Sequence, residues 1–292
     1  MGLMTFDITA VSDGVRAGDY LRAALPDLPE STLRALFASR DVKAGNVRIR
    51  KDYVLRVGET LRVYLPDRKE AGSSASLRVV YEDDDVLLVN KPAGISVEAD
   101  STPGIPLTEL CRLHAEDNGA AAFPPQPCHR LDNRTSGLCL FAKNEKALEI
   151  LLDVFRSRTL EKYYTCLVRG VMKPPSAECT AFLLKDAERA KVRILDHPLP
   201  GARKIVTGYE TLESGPVSRL KVHLVTGRTH QIRAHLASLG HPLLGDDLYG
   251  DREFNRRMKA RSLKLCATSL KLDTSGRLPQ LDGLVFTIDP PF

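Results

Sequence analysis

The spacing of hydrophobic residues divides the chain into a short first part and a much longer second part. Apolar residues recur at helical spacing over 15–25 and over 29–40, which predicts two helices. Short alternating segments near 47–49 and 59–64 predict two strands joined through a Val-Gly-Glu turn. Residues 67–76 are small and polar without a hydrophobic period, which is typical of a linker.

Beyond the linker, strand-like and helix-like segments follow one another without a regular strand–helix repeat. A helix is predicted over 145–158, with Asn144 as its N-cap, and another over 231–239, ending at Gly240. Residues expected on the buried face of the first of these helices are Leu148, Leu151, Leu152 and Phe155. Strands are predicted at 77–82, 86–90, 138–142, 163–168 and 220–225.

This order of elements favours an α+β fold with a mixed or antiparallel sheet. A chain of 292 residues can hold one large and one small domain. We place the small domain at 1–66, the linker at 67–76 and the large domain at 77–292.

Composition indicates a cytoplasmic protein without a membrane partner, and a monomer is the default expectation for its oligomeric state. Hydrophobic residues make up 43% and charged residues 27%, as in ordinary globular proteins. No apolar run approaches the roughly 18 residues of a membrane span, and the N-terminus lacks the basic start and apolar core of a signal peptide. The six cysteines include no Cys-x-x-Cys pair and are expected to be reduced thiols.

The net charge of +5 says little about nucleic acid, so the positions of the charges matter more. Six basic residues face two acidic ones between 40 and 56, and six face one between 252 and 264. Each stretch is either a solvated surface or a surface that contacts phosphates. In the first part of the chain, the predicted RNA contacts are Arg34, Arg40, Lys43, Arg48, Arg50 and Lys51.

Candidate chemistry begins with His129-Arg-Leu-Asp-Asn-Arg-Thr-Ser-Gly-Leu138. Asp132 lies between Arg130 and Arg134 and is followed by a Thr-Ser-Gly turn. A carboxylate beside a guanidinium is held ionised and can act as a nucleophile or base. The alternative is a solvated turn residue.

Two further segments carry polar groups that could join Asp132. Gly227-Arg-Thr-His-Gln-Ile-Arg233 is basic without an acid, and is either an exposed helix start or part of a site. Lys162-Tyr-Tyr164 lies on a predicted strand, where an aromatic ring normally belongs to the core. His230 and His235 are five residues apart, a spacing that does not place both on one helical face, and no cluster supplies further ligands. No metal is therefore predicted.

These segments, preceded by Lys91-Pro-Ala-Gly94, resemble in order the motifs of the RluA-type pseudouridine synthases, which isomerise uridine in RNA. The resemblance extends from about Leu77 to the C-terminus. The helix-helix-hairpin order of the first part is similar to the small RNA-binding domain of ribosomal protein S-four. The Val-Asn-Gly of that hairpin is absent here, and Asn46-Val-Arg-Ile-Arg stands in its place.

The resemblance implies a specific reaction that needs no metal or cofactor. Asp132 attacks the target uridine, the glycosidic bond breaks, and the uracil turns and rejoins the sugar through carbon. Arg233 pairs with Asp132, with Arg228 as the alternative, and Tyr164 lies under the flipped base. The Lys91 motif has a mostly structural role. Residues predicted to bind the substrate are His129, Arg130, Arg134, Lys162, Arg228 and Leu265.

The leading hypothesis is isomerisation of specific uridines in structured ribosomal or transfer RNA. One alternative is a catalytically silent RNA-binding or ribosome-assembly factor on the same fold, although such a factor has no need of Asp132 in a basic site. Another is a metal-dependent RNA hydrolase, for which the sequence lacks an acidic ligand cluster. The sequence does not identify the target uridine. It also does not distinguish attack on the sugar from attack on the base.

Overall fold

The computed structural model describes residues 2–25, 28, 30–38, 41–65, 77–102, 104–119, 122–186 and 190–292. They divide into a first unit, Met1–Leu77 with Glu98–Leu110, and a second unit, Arg78–Val97 with Cys111–Phe292. The predicted linker, 67–76, lies outside the described residues. None of the helices in the described ranges is long and apolar enough to cross a membrane.

The first unit contains two helices and a four-stranded antiparallel sheet in the order β1-β4-β2-β3. Its elements, with a short 3-10 turn at Ala10–Ser12, are β1 (Gly2–Asp7), α1 (Ala17–Ala24), α2 (Glu30–Ala38), β2 (Val42–Ala44), β3 (Val47–Arg48) and β4 (Thr60–Leu65). Both predicted helices are confirmed. Leu21 and Leu33 are buried, whereas Ala24 is exposed.

The strand prediction for this unit was incomplete. β1 and β2 were missed, and the two predicted strands, β3 and β4, do not pair with each other because β2 lies between them. The hairpin therefore turns at Gly45-Asn46 rather than at Val-Gly-Glu. A strand of three residues, such as β2, is too short to show a period of two in the sequence.

The second unit is built on one large sheet with helices beside it. The elements, of which α3 begins in the first unit, are β5 (Val79–Glu82), β6 (Val86–Lys91), α3 (Leu107–Asp117), β7 (Gln126–Pro127), β8 (Ser136–Ala142), α4 (Glu145–Ser157), β9 (Leu160–Arg169), β10 (Ser176–Asp186), β11 (Lys191–Leu195), β12 (Arg203–Glu213), β13 (Val217–His223), α5 (Gln231–Ser238), α6 (Arg252–Arg257), β14 (Leu265–Leu272) and β15 (Val285–Thr287). The predicted elements of this region are all present.

The strand order is β11-β10-β12-β13-β9-β14-β8-β6-β5, with β15 added to β14 and β7 to β8. Among these pairs, β14 and β8 are parallel, and the others are antiparallel. The predicted α+β class with a mixed sheet is confirmed. Asn144 caps α4 as predicted, accepting a hydrogen bond from the Ala147 N–H at 2.8 Å. Leu151 is buried there, but Leu152 is exposed.

The parallel pairing of β8 with β14 fixes the loop that precedes β8. Gly137 has φ +116°, and a Cβ there would lie 2.3 Å from the Ala267 carbonyl oxygen. Only glycine allows both this backbone conformation and this close approach. Ser136 adds a hydrogen bond to the Leu265 carbonyl at 3.4 Å. The start of β8, and with it the Asp132 loop, is thereby held against the start of β14.

Candidate active site

Asp132 lies in the loop between β7 and β8, where the Thr135 N–H donates to the Asp132 carbonyl at 2.9 Å and closes a turn. The Arg233 Nη1 lies 3.3 Å from Asp132 Oδ2. The two side chains differ in access, since 23% of the Asp132 side chain is exposed but only 5% of Arg233. A molecule at the surface of the protein can therefore reach the Asp132 carboxylate, whereas the Arg233 guanidinium is almost completely buried. Arg233, rather than Arg228, is the arginine beside Asp132.

Arg233 is itself held by Asp246, a residue to which the sequence analysis gave no role. The Arg233 Nε and Nη2 donate to the two oxygens of Asp246 at 2.7 and 2.9 Å, which is a bidentate pair. Asp246 also accepts the N–H groups of Leu248 and Tyr249 at 2.8 and 3.1 Å. Burial alone would raise the pKa of Asp246, but the bonds from Arg233 and these N–H groups lower it. Asp246 therefore fixes Arg233 as a buried cation.

The two arginines that flank Asp132 in sequence do not share one role. The Arg134 guanidinium forms an ion pair with Asp247, which is 65% exposed. Arg130 is exposed in the same loop. The positive charge nearest to the Asp132 carboxylate thus comes from α5, about a hundred residues along the chain, and not from its neighbours in sequence.

Tyr164 is buried on β9, where it pairs with Ala267 of β14 and Val222 of β13. Burial raises the pKa of its hydroxyl well above the usual value, and the negative charge of Asp132 adds to this. The hydroxyl therefore remains protonated at neutral pH. Tyr163 points to the opposite face and stacks on His223 at 4.9 Å between ring centres.

Lys91, at the end of β6, anchors the Asp132 loop from below. Its side chain is fully buried, and its Nζ donates to the carbonyls of Pro92, Ile95 and Asn133 at 3.1, 2.8 and 3.1 Å. The Gly94 N–H donates to the same Asn133 carbonyl at 2.7 Å. Burial lowers the pKa of Lys91 to about 8, against the opposing charges of Cys139 and Asp132. This geometry agrees with the mostly structural role expected of the Lys-Pro-Ala-Gly motif.

Lys162 and His129 lie close together beside α4. The His129 ring stacks on Phe155 at 4.8 Å, and its Nε2 accepts the Leu140 N–H at 3.2 Å. The Lys162 Nζ lies over the Phe155 ring at 5.4 Å and beside Gly227. Burial lowers the pKa of Lys162, and among the described residues no carboxylate forms an ion pair with it. The contacts of His129 are those of a packing residue, so its predicted contact with substrate stays a prediction.

The pH dependence of stability should reveal the buried, neutral state of His129. Burial, with the charge of Lys162, lowers the pKa of His129 from 6.5 to about 3. Between these values the unfolded chain binds the proton and the folded protein does not, so stability falls as pH falls from 6.5 towards 3. We expect His129→Gln, which keeps an acceptor but does not titrate, to show a shallower loss. Urea unfolding at pH 7, 6, 5 and 4 measures both slopes, and parallel slopes would contradict the assignment.

The remaining predicted residues lie at the rim and in the wall of this region. Leu265, the first residue of β14, is buried and pairs with Cys166 of β9. Arg228 is exposed in the loop before α5, and its N–H donates to Gln231 Oε1 at 3.1 Å. Leu265 thus offers an apolar wall, and Arg228 a positive charge at the surface.

The two histidines near the start of α5 and within it point to different partners. His235 Nδ1 lies 3.0 Å from Thr207 Oγ1. His230 Nδ1 lies 3.0 Å from Tyr249 Oη, and its Nε2 lies 3.9 Å from Asp132 Oδ2. Over the described part of the chain, no three His, Cys, Asp or Glu side chains are grouped as metal ligands.

Comparison with known proteins shows the family of the chain. The sequence profile of the RNA pseudouridylate synthase family matches residues 85–238, which include Asp132, Tyr164 and Arg233. The chain belongs to the RNA pseudouridylate synthase family. It is therefore an isomerase of uridine in RNA, and the interpretation as a silent binding factor is disfavoured.

Two curated relatives and two solved structures show how far the likeness extends. Ribosomal large subunit pseudouridine synthase C of Escherichia coli K12 is 33% identical, over 97% of this chain and 91% of that protein. The Vibrio vulnificus protein of the same name is 32% identical, over 85% and 81%. Human RNA pseudouridylate synthase domain containing 1 is 26% identical with a TM-score of 0.59, over 76% and 85%. Human RNA pseudouridylate synthase domain containing 4, at 23% identity and a TM-score of 0.61 over 73% and 88%, shares the fold.

In this pseudouridylate synthase, the contacts of Asp246 and Tyr249 and the position of His230 were not predicted from the sequence. Asp246 belongs to the Gly245-Asp-Asp segment, and a buried arginine requires a carboxylate partner. The need of a buried arginine for a carboxylate partner indicates an aspartate of this segment. It does not indicate which of the two aspartates turns inward. His230 was weighed only as a metal ligand.

Proposed function

We propose that this pseudouridylate synthase converts uridine to pseudouridine in ribosomal RNA, with Asp132 as the nucleophile. The observation that carries the proposal is that the Asp132 carboxylate is partly exposed and lies 3.3 Å from the buried Arg233. The names of the curated relatives, ribosomal large subunit pseudouridine synthases, support ribosomal rather than transfer RNA.

The proposed reaction exchanges bonds within the substrate. The bond from the sugar C1′ to the uracil N1 breaks, a bond from C1′ to C5 forms, and one proton leaves C5 while N1 gains one. Nothing is oxidised or reduced, so no redox cofactor is needed, and with Asp132 as the nucleophile we propose that no metal takes part. Asp132 stabilises the separated state by bonding covalently to the sugar or to the base.

The surrounding residues have proposed roles in holding the target nucleotide. Extrusion of the base from its stack is the general requirement of enzymes that act on bases, and Arg130 is proposed to fill the space left behind. The Tyr164 ring then supports the uracil, with a stacking contribution of roughly 1–3 kcal/mol, against the apolar wall of Leu265. Lys162, Arg134 and Arg228 supply positive charge for phosphate or carbonyl oxygens, and His129 lines the same side.

Two basic surfaces are proposed to bind the rest of the RNA. In the first unit, Lys43 and Arg48 face each other across β2 and β3, and Arg34 lies on α2. Arg50 and Lys51 line a cavity of about 300 Å³ together with Arg16 and two acidic residues, Asp19 and Asp52. Arg40, which we also predicted to contact RNA, lies outside the described residues. On this proposal, residues 1–66 form the RNA-binding domain and 77–292 the catalytic domain of a monomeric, cytoplasmic enzyme.

The second surface, which we call the basic arm, is the segment 252–264 with its six basic residues. Arg256, Lys259 and Arg261 are exposed along it. The arm is tied to the loop that holds Arg233, because the Asn255 side chain donates to the Asp246 carbonyl at 2.9 Å and accepts the Gly245 N–H at 2.8 Å. Positive charge in such a place can hold the backbone that flanks the target.

Removal of charge from either surface should reduce the salt dependence of RNA binding. We expect a triple variant, Lys43→Gln, Arg48→Gln and Arg50→Gln, and a second one, Arg256→Gln, Lys259→Gln and Arg261→Gln, each to lower the slope of log Kd against log salt by up to about 0.7–0.9 for every phosphate that is no longer neutralised. Filter binding over a range of salt concentrations measures the slopes. Lys146→Gln with Arg156→Gln, on the exposed face of α4, is the control. Slopes equal to that control would exclude the surface concerned.

Pseudouridine mapping tests the proposed function directly. The purified protein is incubated with large-subunit ribosomal RNA and, separately, with transfer RNA, both from cells that lack the protein, in buffer containing EDTA. Pseudouridine at one or a few positions of ribosomal RNA is the expected result. Modification of transfer RNA alone would contradict the substrate, and dependence on added metal would contradict the cofactor-free reaction.

A further inference from the structure

We propose that His230 is a positioning residue, which holds one oxygen of Asp132 so that the other oxygen attacks the uridine. The inference rests on the proposed role of Asp132 as nucleophile. In this role the His230 Nε2–H donates to Asp132 Oδ2. The Tyr249 hydroxyl keeps the proton of His230 on Nε2.

The hydrogen bonds of Tyr249 determine which nitrogen of His230 carries the proton. The Val192 N–H donates to Tyr249 Oη at 2.9 Å, and Tyr249 Oη lies 3.0 Å from His230 Nδ1. Among the described residues, His230 Nδ1 is the acceptor within hydrogen-bond distance of the Tyr249 hydroxyl, so a hydroxyl that donates its hydrogen directs it to Nδ1. A neutral imidazole that accepts at Nδ1 carries its proton at Nε2.

The position of Asp132 favours the same tautomer. His230 Nε2 lies 3.9 Å from Asp132 Oδ2. The opposite tautomer would turn a lone pair of Nε2 towards a carboxylate, which is repulsive, whereas an Nε2–H is attracted to it. A small closure of the site around RNA brings the two atoms into hydrogen-bond range.

Arg233 and His230 approach the same oxygen of Asp132. The Arg233 Nη1 lies 3.3 Å from Oδ2, and the His230 Nε2 faces that oxygen from the loop before α5. In this geometry Arg233 is within hydrogen-bond range of Oδ2 and His230 is not. When the His230 N–H also reaches Oδ2 on closure of the site, the two donors fix the plane of the carboxylate and leave Oδ1 without either of them. The geometry therefore assigns the attack on the uridine to Oδ1.

The backbone at His230 is shaped for this contact. His230 has φ +54° and ψ +16°, the left-handed region, immediately before α5. A residue other than glycine in this region costs roughly 1 kcal/mol or more, and such strain collects at functional sites. The side chain of Gln231 holds the turn, donating to the Val206 carbonyl and to Thr207 Oγ1, both at 3.0 Å. The conformation turns the imidazole towards Asp132.

The charged groups around His230 are consistent with a neutral donor. They are Asp132 in the loop before β8, Arg233 on α5 and Asp246 in the loop after α5, and the uncharged Tyr249 hydroxyl faces Nδ1 from the same loop. Burial and the charge of Arg233 lower the pKa of His230, while Asp132 and Asp246 oppose this, and the net direction is downwards. His230 therefore acts through its N–H and not as a cation.

Three variants of the full chain test this role: His230→Leu, His230→Gln and Tyr249→Phe. Single-turnover rates are measured with saturating RNA, together with the Kd for that RNA and the melting temperature. We expect His230→Leu to slow the reaction about 10- to 100-fold, as expected when a hydrogen bond to a charged group is removed, without a change in Kd. His230→Gln, whose amide can replace the Nε2–H, should stay within about threefold of the wild type.

Tyr249→Phe keeps the ring beside Arg233 and removes only the hydroxyl that fixes the tautomer. It should slow the reaction about 3- to 10-fold. The double variant with His230→Gln should be no slower than the slower of the two single variants, because the hydroxyl acts through His230. His241→Gln is the control for replacing a half-buried histidine. In the wild type, the His241 imidazole forms a hydrogen bond with the Arg169 carbonyl.

The outcomes separate this role from the proposed function. If the wild type forms no pseudouridine, the proposed function fails. If the wild type is active and His230→Leu keeps its full rate, the positioning role of His230 is overturned and the proposed function stands. If His230→Leu does not fold, two other results overturn the role. One is a rate for His230→Gln that is far lower than the rate for Tyr249→Phe. The other is full additivity of the two reductions in the double variant.

Discussion

An Asp132→Asn variant is expected to lower single-turnover activity by about 10⁴-fold or more, the scale observed when a nucleophile is removed from an enzyme. The amide of asparagine is close in shape to the carboxylate but is not a nucleophile. Arg233 and its bidentate partner Asp246 do not depend on Asp132, so the fold should be kept. Binding of RNA should be retained or tightened, because a negative charge is removed from a site for a polyanion.

The measurement combines a rate of pseudouridine formation with an RNA Kd at the same salt concentration. Asp153→Asn is the matched control, since it removes a carboxylate on α4 that pairs with Arg277 at the surface, at 2.8 Å. That variant should keep the wild-type rate. Full activity of Asp132→Asn would sink the assignment of the nucleophile, and weaker binding without a change of rate would reduce Asp132 to an RNA contact.

The pairing of Asp132 with Arg233 was predicted from sequence because both residues lie in local motifs. Asp132, Tyr164 and Arg233 each lie in a short segment with an unusual run of polar or glycine residues, and β8 and β9 carry strong hydrophobic patterns. Gly137 shows why such a run needs a glycine: its positive φ and its contact with the Ala267 backbone exclude any side chain. The sheet class followed from the irregular order of elements.

The partners of these residues could not be predicted, because they depend on contacts between distant parts of the chain. Arg134, next but one to Asp132, forms its ion pair with Asp247 instead. Which of Asp246 and Asp247 turns inward depends on the turn of the loop after α5. β10 and β12 were missed for a related reason, since strands with one exposed face carry many polar residues and lack a sustained apolar pattern.

Replacement of Arg233 should damage both stability and catalysis. Arg233→Met is expected to lower the free energy of unfolding by about 3–5 kcal/mol, because it leaves the fully buried carboxylate of Asp246 without its partner. The rate should also fall by about 10²–10³-fold, as when one group that stabilises charge is removed from an active site. Urea unfolding and single-turnover assays on the same preparation measure the two effects.

A second substitution separates these two roles of Arg233. Asp246→Asn in the Arg233→Met background removes the stranded charge and keeps an oxygen that can accept the N–H groups of Leu248 and Tyr249. Most of the stability should return, because an uncharged buried pair carries no uncompensated ion. The rate should not return, because Asp132 still lacks the donor that holds Oδ2. Recovery of both would mean that Arg233 supports the fold alone and that Asp132 is oriented by His230 without it.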